Sequence, residues 1–139
     1  MKILFKKLTV SATIPRINKK GDAGFDIYAD ESVVIWVGGQ AVISTGIACE
    51  IPTGWVGQIW SRSGMAVKHM IDVHAGIIDS NYRGEIKACL INHGDRRVEI
   101  KKGDRIAQMV VTPFLGESEE VSELSDSNRN KNGFGSSGV

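Results

Sequence analysis

Residues 75–86 read AGIIDSNYRGEI, an apolar run that meets an acid at a tight turn and returns through an aromatic ring. Ile77 and Ile78 favour a pleated strand, Asp79, Ser80 and Asn81 supply turn chemistry, and Tyr82 leads into a second strand through Ile86, so the segment predicts a β-hairpin. Asp79 then stands at the mouth of a pocket with Tyr82 beside it; a simple turn-forming acid reads the same way. Residues 61–66, SRSGMA, put Arg62, Ser63 and Gly64 where a strand turns into a helix, and a first helical turn offers unpaired N–H groups to an anion. Ser63 as an ordinary N-cap accounts for the same residue. Asp26 sits among Phe25, Ile27 and Tyr28 in AGFDIYA (23–29), where an acid either points outward or is buried for a role. Gln108, among apolar neighbours in GDRIAQMV (103–110), fits a hydrogen-bonded core amide equally well. Near the end, Arg129 precedes a run from Gly133 through Phe134, Gly135, Ser136 and Ser137 whose amides could wrap phosphates or belong to a merely disordered terminus.

Bringing these side chains together requires a scaffold, and the chain's pattern is that of strands. Short segments rich in β-branched and aromatic residues occupy 33–37, 41–44, 47–51, 55–60, 85–91, 98–100 and 106–113, with Gly38-Gly39, Thr53-Gly54, His93-Gly94-Asp95 and Lys102-Gly103-Asp104 as turns between them. Helical periodicity never exceeds about two turns, so at most one short helix is expected, after Ser63. The expected fold is all-β, a sandwich or jelly roll. One domain over 1–115 accounts for the apolar mass. From residue 116 the composition turns acidic and polar, and 116–139 reads as a flexible arm.

Lys+Arg 17 against Asp+Glu 16 gives no polyelectrolyte signature, and no basic cluster with interleaved aromatics marks a nucleic-acid face. Any anionic ligand must be met locally. Cys49 and Cys89 lie in apolar stretches without metal-ligand spacing and read as reduced core residues of an intracellular protein. Lys6 and Lys7 interrupt the apolar run a signal peptide needs, and no stretch has membrane-span length. The expectation is a protein that is neither secreted nor membrane-bound, cytoplasmic or in an intracellular compartment of a host if viral.

In this order, AGFDIYA, RSGMA, GIIDSNYRGEI, GDRIAQ and RNKNGFGSSG resemble the five motifs of the trimeric dUTPases, over almost the whole chain. The resemblance implies a jelly-roll-like β-barrel assembled as a homotrimer. Each of its active sites would take the third motif from one subunit, the first, second and fourth from another, and the tail from the remaining one. It also implies hydrolysis of dUTP to dUMP and pyrophosphate, which limits uracil incorporation into DNA and supplies dUMP for thymidylate synthesis.

Residue by residue, the resemblance makes Asp79 the general base that deprotonates the water attacking the α-phosphorus. Tyr82 packs under the deoxyribose and leaves no room for a 2′-hydroxyl. Uracil slots between Gly76 and Lys87, past Ile77 and Ile78, where backbone groups imitate a pairing partner. Arg62, Ser63, Gly64 and Gln108 contact the phosphates, and Arg129 meets the γ-phosphate. Phe134 stacks over uracil while Gly135, Ser136 and Ser137 wrap the phosphates. Mg²⁺ comes chelated by the triphosphate, with Asp26 linked to it only through water or else structural.

The chain departs from the family pattern at Ser61, where proline is usual, and at Asn130, Asn132 and Ser137 in the tail. Two other readings are weighed against it. dCTP deaminase shares the fold, but its deaminating glutamate aligns with Cys89, and a thiol cannot shuttle that proton. A nucleotide-responsive binding protein predicts damage at Asp79 or in the tail, and none is present.

Overall fold

A computed structural model describes residues 2–127. Ten strands and one helix follow in the order β1 (Leu4–Lys7), β2 (Phe25–Tyr28), β3 (Val33–Ile35), β4 (Gln40–Glu50), β5 (Trp55–Trp60), α1 (Ser63–His69), β6 (Ile71–His74), β7 (Ile77–Ile78), β8 (Glu85–Asn92), β9 (Val98–Ile100) and β10 (Arg105–Pro113). One four-stranded sheet has the order β1-β4-β8-β6, a second β2-β10-β5-β7, and β3 with β9 forms a ribbon. All pairings are antiparallel. This is the all-β architecture the strand spacing predicts, jelly-roll-like as the family resemblance implies, with one short helix. Among the described residues no helix is long and apolar enough to cross a membrane.

Alternation along the strands builds the core. On β8, Ile86, Ala88, Leu90 and Asn92 point inward while Lys87 faces solvent. Ile86, Ala88 and Leu90 join Ile27, Ile43, Ile59, Ile78, Ile106 and Met109 from both sheets, and Ile35, Val98 and Ile100 from the ribbon, in one apolar cluster. Asn92 is wholly buried, and its side chain is fully engaged: Nδ2 donates to Ile35 O at 3.0 Å and Arg96 O at 2.8 Å, and Oδ1 accepts from Gly94 N at 2.9 Å.

Three expectations change. Residues 77–86 are not a ladder-paired hairpin: β7 pairs with β5, whereas β8 pairs with β4 and β6 in the other sheet. The turn after Ile78 therefore carries the chain between sheets, because Ile78 is anchored in the core opposite Gly57. Segments 41–44 and 47–51 are one strand, β4, with a register irregularity between Ser44 and Ala48. There the polar groups find partners outside the ladder: Thr45 Oγ1 donates to Ile86 O, and Gly46 N donates to Glu85 Oε1 at 2.9 Å. Finally, β1 and β6 are strands that apolar content alone did not announce, being short and mostly solvent-facing.

Asp30 ties residues 9–11, which follow β1, to the loop after β2. Thr9 and Ser11 hydroxyls donate to it at 2.5 and 2.7 Å, Lys102 Nζ lies 3.2 Å away, and the side chain is 7% exposed. The Thr9 hydroxyl foremost, then that of Ser11, holds its carboxyl below the usual carboxylate value against the opposing effect of burial. A carboxyl more acidic when folded lends stability above its unfolded pKa, and that stability is lost as pH falls through the folded value. Asp30→Asn should therefore flatten the acid limb of the melting-temperature profile below about pH 4; an acid limb identical to that of the native chain would show that Asp30 contributes nothing there.

Candidate active site

The antiparallel register around β10 lays two candidate positions side by side and leads to a third. Gln108 stands opposite Asp26 of β2 on one flank and opposite Trp60 of β5 on the other. β5 then runs through Ser61 into Arg62, the N-cap of α1. A cleft of about 480 Å³ opens there, lined by Asp26, Arg62, Ser63, Gly64, Arg105 and Gln108 among others. The first, second and fourth sequence segments thus meet in one place.

Asp26 organises this cleft. It is buried, and its Oδ1 accepts from Arg62 Nε at 3.1 Å while Oδ2 accepts from Arg105 Nη1 at 3.2 Å and from Asn18 Nδ2. Arg62 Nη1 also donates to the Arg105 carbonyl at 3.3 Å. Two guanidinium charges against one carboxylate leave the cleft suited to an anion. Gln108 Nε2 donates to Ser61 O at 3.0 Å, which leaves its second amide hydrogen for a ligand. Its Oε1 lies over Gly24, where a Cβ would come within 2.6 Å.

α1 begins differently from the expected serine cap. Arg62 is the N-cap, extended at φ −79° and ψ 138° and without a side-chain cap bond, so Ser63 is the first helical residue. Its hydroxyl is thus not a cap, and both Ser63 and Gly64 are exposed at the cleft wall. At the other end Lys68 and His69 complement the negative end of the helix, and Met70 closes it in the left-handed region at φ 51°.

The turn after β7 has its own geometry. Asp79 is exposed, and its carbonyl accepts Tyr82 N at 3.0 Å to close the turn. Tyr82 is 44% exposed, its hydroxyl donates to Glu85 O at 3.0 Å, and its ring lies against Gly84, where a Cβ would meet the phenol oxygen at 2.4 Å. Gly76 has φ 110°, and a Cβ there would stand 2.9 Å from the Ile59 carbonyl, so only glycine fits. Ile77 is exposed and Ile78 buried. Lys87 is exposed opposite Ser44, with Nζ 3.6 Å from Glu85. Gly76 and Ile77 line a smaller cavity of about 240 Å³ with Ser61 and Asp72.

The structure thus gathers Asp26, Arg62, Ser63, Gly64 and Gln108 in one cleft, while Asp79, Tyr82, Ile78 and Lys87 are not among its lining residues. Arg129, Phe134, Gly135, Ser136 and Ser137 lie outside the described residues. Sequence reasoning missed Arg105 and Asn18, which share Asp26 with Arg62, and Gly84 under the tyrosine ring. Arg105 and Gly84 stood inside the quoted segments, where an arginine after a turn and a glycine two residues beyond a ring were readable signals; Asn18 offered none. Both cysteines are free: Cys49 is buried, with its thiol pushed up by that burial, and Cys89 is half-buried.

The dUTPase family model matches residues 10–138. The deoxyuridine 5′-triphosphate nucleotidohydrolase of Paramecium bursaria Chlorella virus 1 is 49% identical over 99% of this chain and 98% of its own length. Among solved structures, the Staphylococcus bacteriophage 80alpha dUTPase with dUPNHPP superposes with a TM-score of 0.93 at 34% identity, covering 99% of each chain. A variant of the dUTPase from phage phi11 of S. aureus, described for its coordination of a structural Mg(II) ion, gives 0.83 at 29% identity over 91% of this chain and 100% of its own. With matches of this extent, and with the first, second and fourth segments meeting in one cleft, the chain belongs to the dUTPase family, the dUTP diphosphatases.

Proposed function

We propose that Asp79 activates the water that attacks the α-phosphorus of dUTP, in a site that takes its phosphate grip from the Asp26 cleft of one chain and its acid from the turn of another. The observation that carries this reading is the cleft itself, where Arg62, Ser63, Gly64, Arg105 and Gln108 surround one buried carboxylate. In the reaction Asp79 takes a proton from water, the water oxygen bonds to the α-phosphorus, and the bond from phosphorus to the α,β-bridging oxygen breaks. The products are dUMP and pyrophosphate. A base in this role needs reach to its water more than unusual basicity.

Arg62 and Arg105, already held by Asp26, meet the phosphates with little ordering left to do. The second amide hydrogen of Gln108 and the exposed Ser63 and Gly64 complete the grip. Backbone groups from Gly76 onward read uracil, and the Tyr82 ring packs under the deoxyribose, excluding UTP by bulk. The arm over 116–139 brings Arg129 to the γ-phosphate and Phe134 over the base, with Gly135, Ser136 and Ser137 closing out water.

No three His, Cys, Asp or Glu side chains among the described residues gather as metal ligands, and both Asp26 oxygens already accept from nitrogen donors. That donor set fits an ion that arrives on the substrate. When bound, Mg²⁺ would supply charge neutralisation to the phosphates, and Asp26 would reach it through water at most.

Asp79 and Tyr82 are exposed and stand apart from the cleft lining, so a homotrimer in which one copy's turn faces another copy's cleft accounts for their placement. Pyrophosphate release from dUTP, dCTP, dTTP and UTP in separate reactions tests the whole reading; turnover of dUTP alone is expected, and release from dCTP or UTP at a comparable rate would refute the assigned selectivities. Asp79→Asn should lower kcat roughly 10²–10⁴-fold while dUTP still binds, whereas joint loss of binding and turnover would make Asp79 structural. Asp26→Asn frees both guanidiniums from their counter-charge and should raise KM for dUTP about tenfold; an unchanged KM would mean that the arginines need no anchor. Removing 129–139 should leave the melting temperature in place and cut turnover sharply, and a truncated chain as active as the full one would dismiss the arm.

A further inference from the structure

We propose that Ser61 and Asp72 are positioning residues for dUTP turnover, a hydrogen-bonded pair that fixes the phosphate-gripping turn against the segment carrying the base slot. The proposal rests on the reading of Arg62, Ser63 and Gly64 as phosphate contacts and of Gly76 as a base contact. Ser61 stands between β5 and the N-cap of α1. Its hydroxyl donates to Asp72 Oδ1 at 2.8 Å, and its carbonyl accepts Gln108 Nε2 at 3.0 Å. One residue thus holds a phosphate ligand through its backbone and reaches β6 through its side chain.

The bonds close a ring. Asp72 Oδ1 also accepts Val73 N at 2.8 Å, so the carboxylate is pinned to the backbone of β6. From there the chain runs through Ala75 to Gly76, whose carbonyl accepts Ile59 N at 2.8 Å, and β5 leads from Ile59 back to Ser61. The cavity of about 240 Å³ inside this ring is lined by Ser61, Asp72, Ala75 and Gly76. Ala75 has φ 61°, a left-handed conformation that its Cβ disfavours, so the segment from β6 to β7 needs a hold from outside itself. The Ser61 hydroxyl supplies that hold as a charge-assisted bond, and the strongest influence lowering the Asp72 pKa is this same hydroxyl. In a trimer the phosphate turn and the base slot of one chain serve different sites, so the pair also links neighbouring sites.

Steady-state dUTP hydrolysis by the full-length chain, with melting temperatures measured beside it, tests the pair through Ser61→Ala, Ser61→Thr, Asp72→Ala and the double substitution Ser61→Ala with Asp72→Ala. Each alanine variant should raise KM by about three- to tenfold with kcat changed less than about twofold. The double variant should be no worse than the poorer single one, as expected for one shared bond, and Ser61→Thr, which keeps the hydroxyl, should stay near the native KM. Native KM in Ser61→Ala, multiplying effects in the double variant, or a KM rise that only follows a fall in melting temperature would overturn the pair's role. A native chain without dUTP turnover would overturn the functional reading and this role together, whereas a native chain that turns over dUTP, with Ser61→Ala its equal, would overturn the positioning role alone.

Discussion

The buried carboxylate of Asp26 is the interaction on which the site depends. Residue 18 in the loop before β2, residue 62 after β5 and residue 105 at the start of β10 all place a donor on it. A buried acid is costly unless paired, and here the pairing partners are the groups that give the cleft its positive charge. The cost of burying Asp26 and the preorganisation of the arginines are one arrangement. The long side chains of Arg62 and Arg105 would otherwise sample many rotamers and lose that freedom on meeting an anion.

The sheets make this convergence possible through register more than through loop geometry. Strand β10 is flanked by β2 and β5, and a shift of one residue in either pairing would turn Asp26 or Gln108 to the opposite face. What pins the register is the inward side of the same strands: Ile27, Ile59, Ile106 and Met109 are buried in the shared core. The irregularity in β4 has a comparable role on the other sheet. Its displaced groups bond to Ile86 O and Glu85 Oε1, at the start of β8, and so fix where the chain lands after crossing between sheets.

Much of this was legible in the sequence because alternation and turn residues are local signals. The strands at 55–60 and 98–100 and the short helix after Ser63 follow from β-branched or aromatic content and from apolar spacing read over a few residues. What was not legible depended on partners far along the chain. Ile77 and Ile78 carry every local mark of a hairpin strand, yet pairing with β5 buries Ile78 in the core, and that tertiary burial outweighs local turn preference. β6 escaped notice because Asp72 and His74 occupy its outward positions, which makes IDVH look polar. For the site, Arg62, Ser63 and Gly64 at a strand-to-helix turn allowed anion contact beside an ordinary cap, Gln108 was tied to phosphate only by the family resemblance, and Asp26 had two readings. Only the three-dimensional pairing with Arg62 and Arg105 reveals it as an organiser of the cleft.

A single chain holds the Asp26 cleft without Asp79 in its lining, and holds Asp79 exposed on a turn that stands apart from it. Asp79 on the crossing between sheets cannot be brought inward without pulling Ile78 out of the core, since the two residues are adjacent and Ile78 is anchored against Gly57. A conformational change within the chain is therefore a poor way to complete the site. Association is a better one: a cleft on one copy that receives the turn of the next is a heterologous contact, and such contacts either propagate without limit or close into a ring. A closed ring gives every copy both a filled cleft and a used acid. On that view the outward placement of Asp79 and Tyr82 would be the condition for sharing them, and the anchored core beneath the turn would let one chain present them rigidly to another.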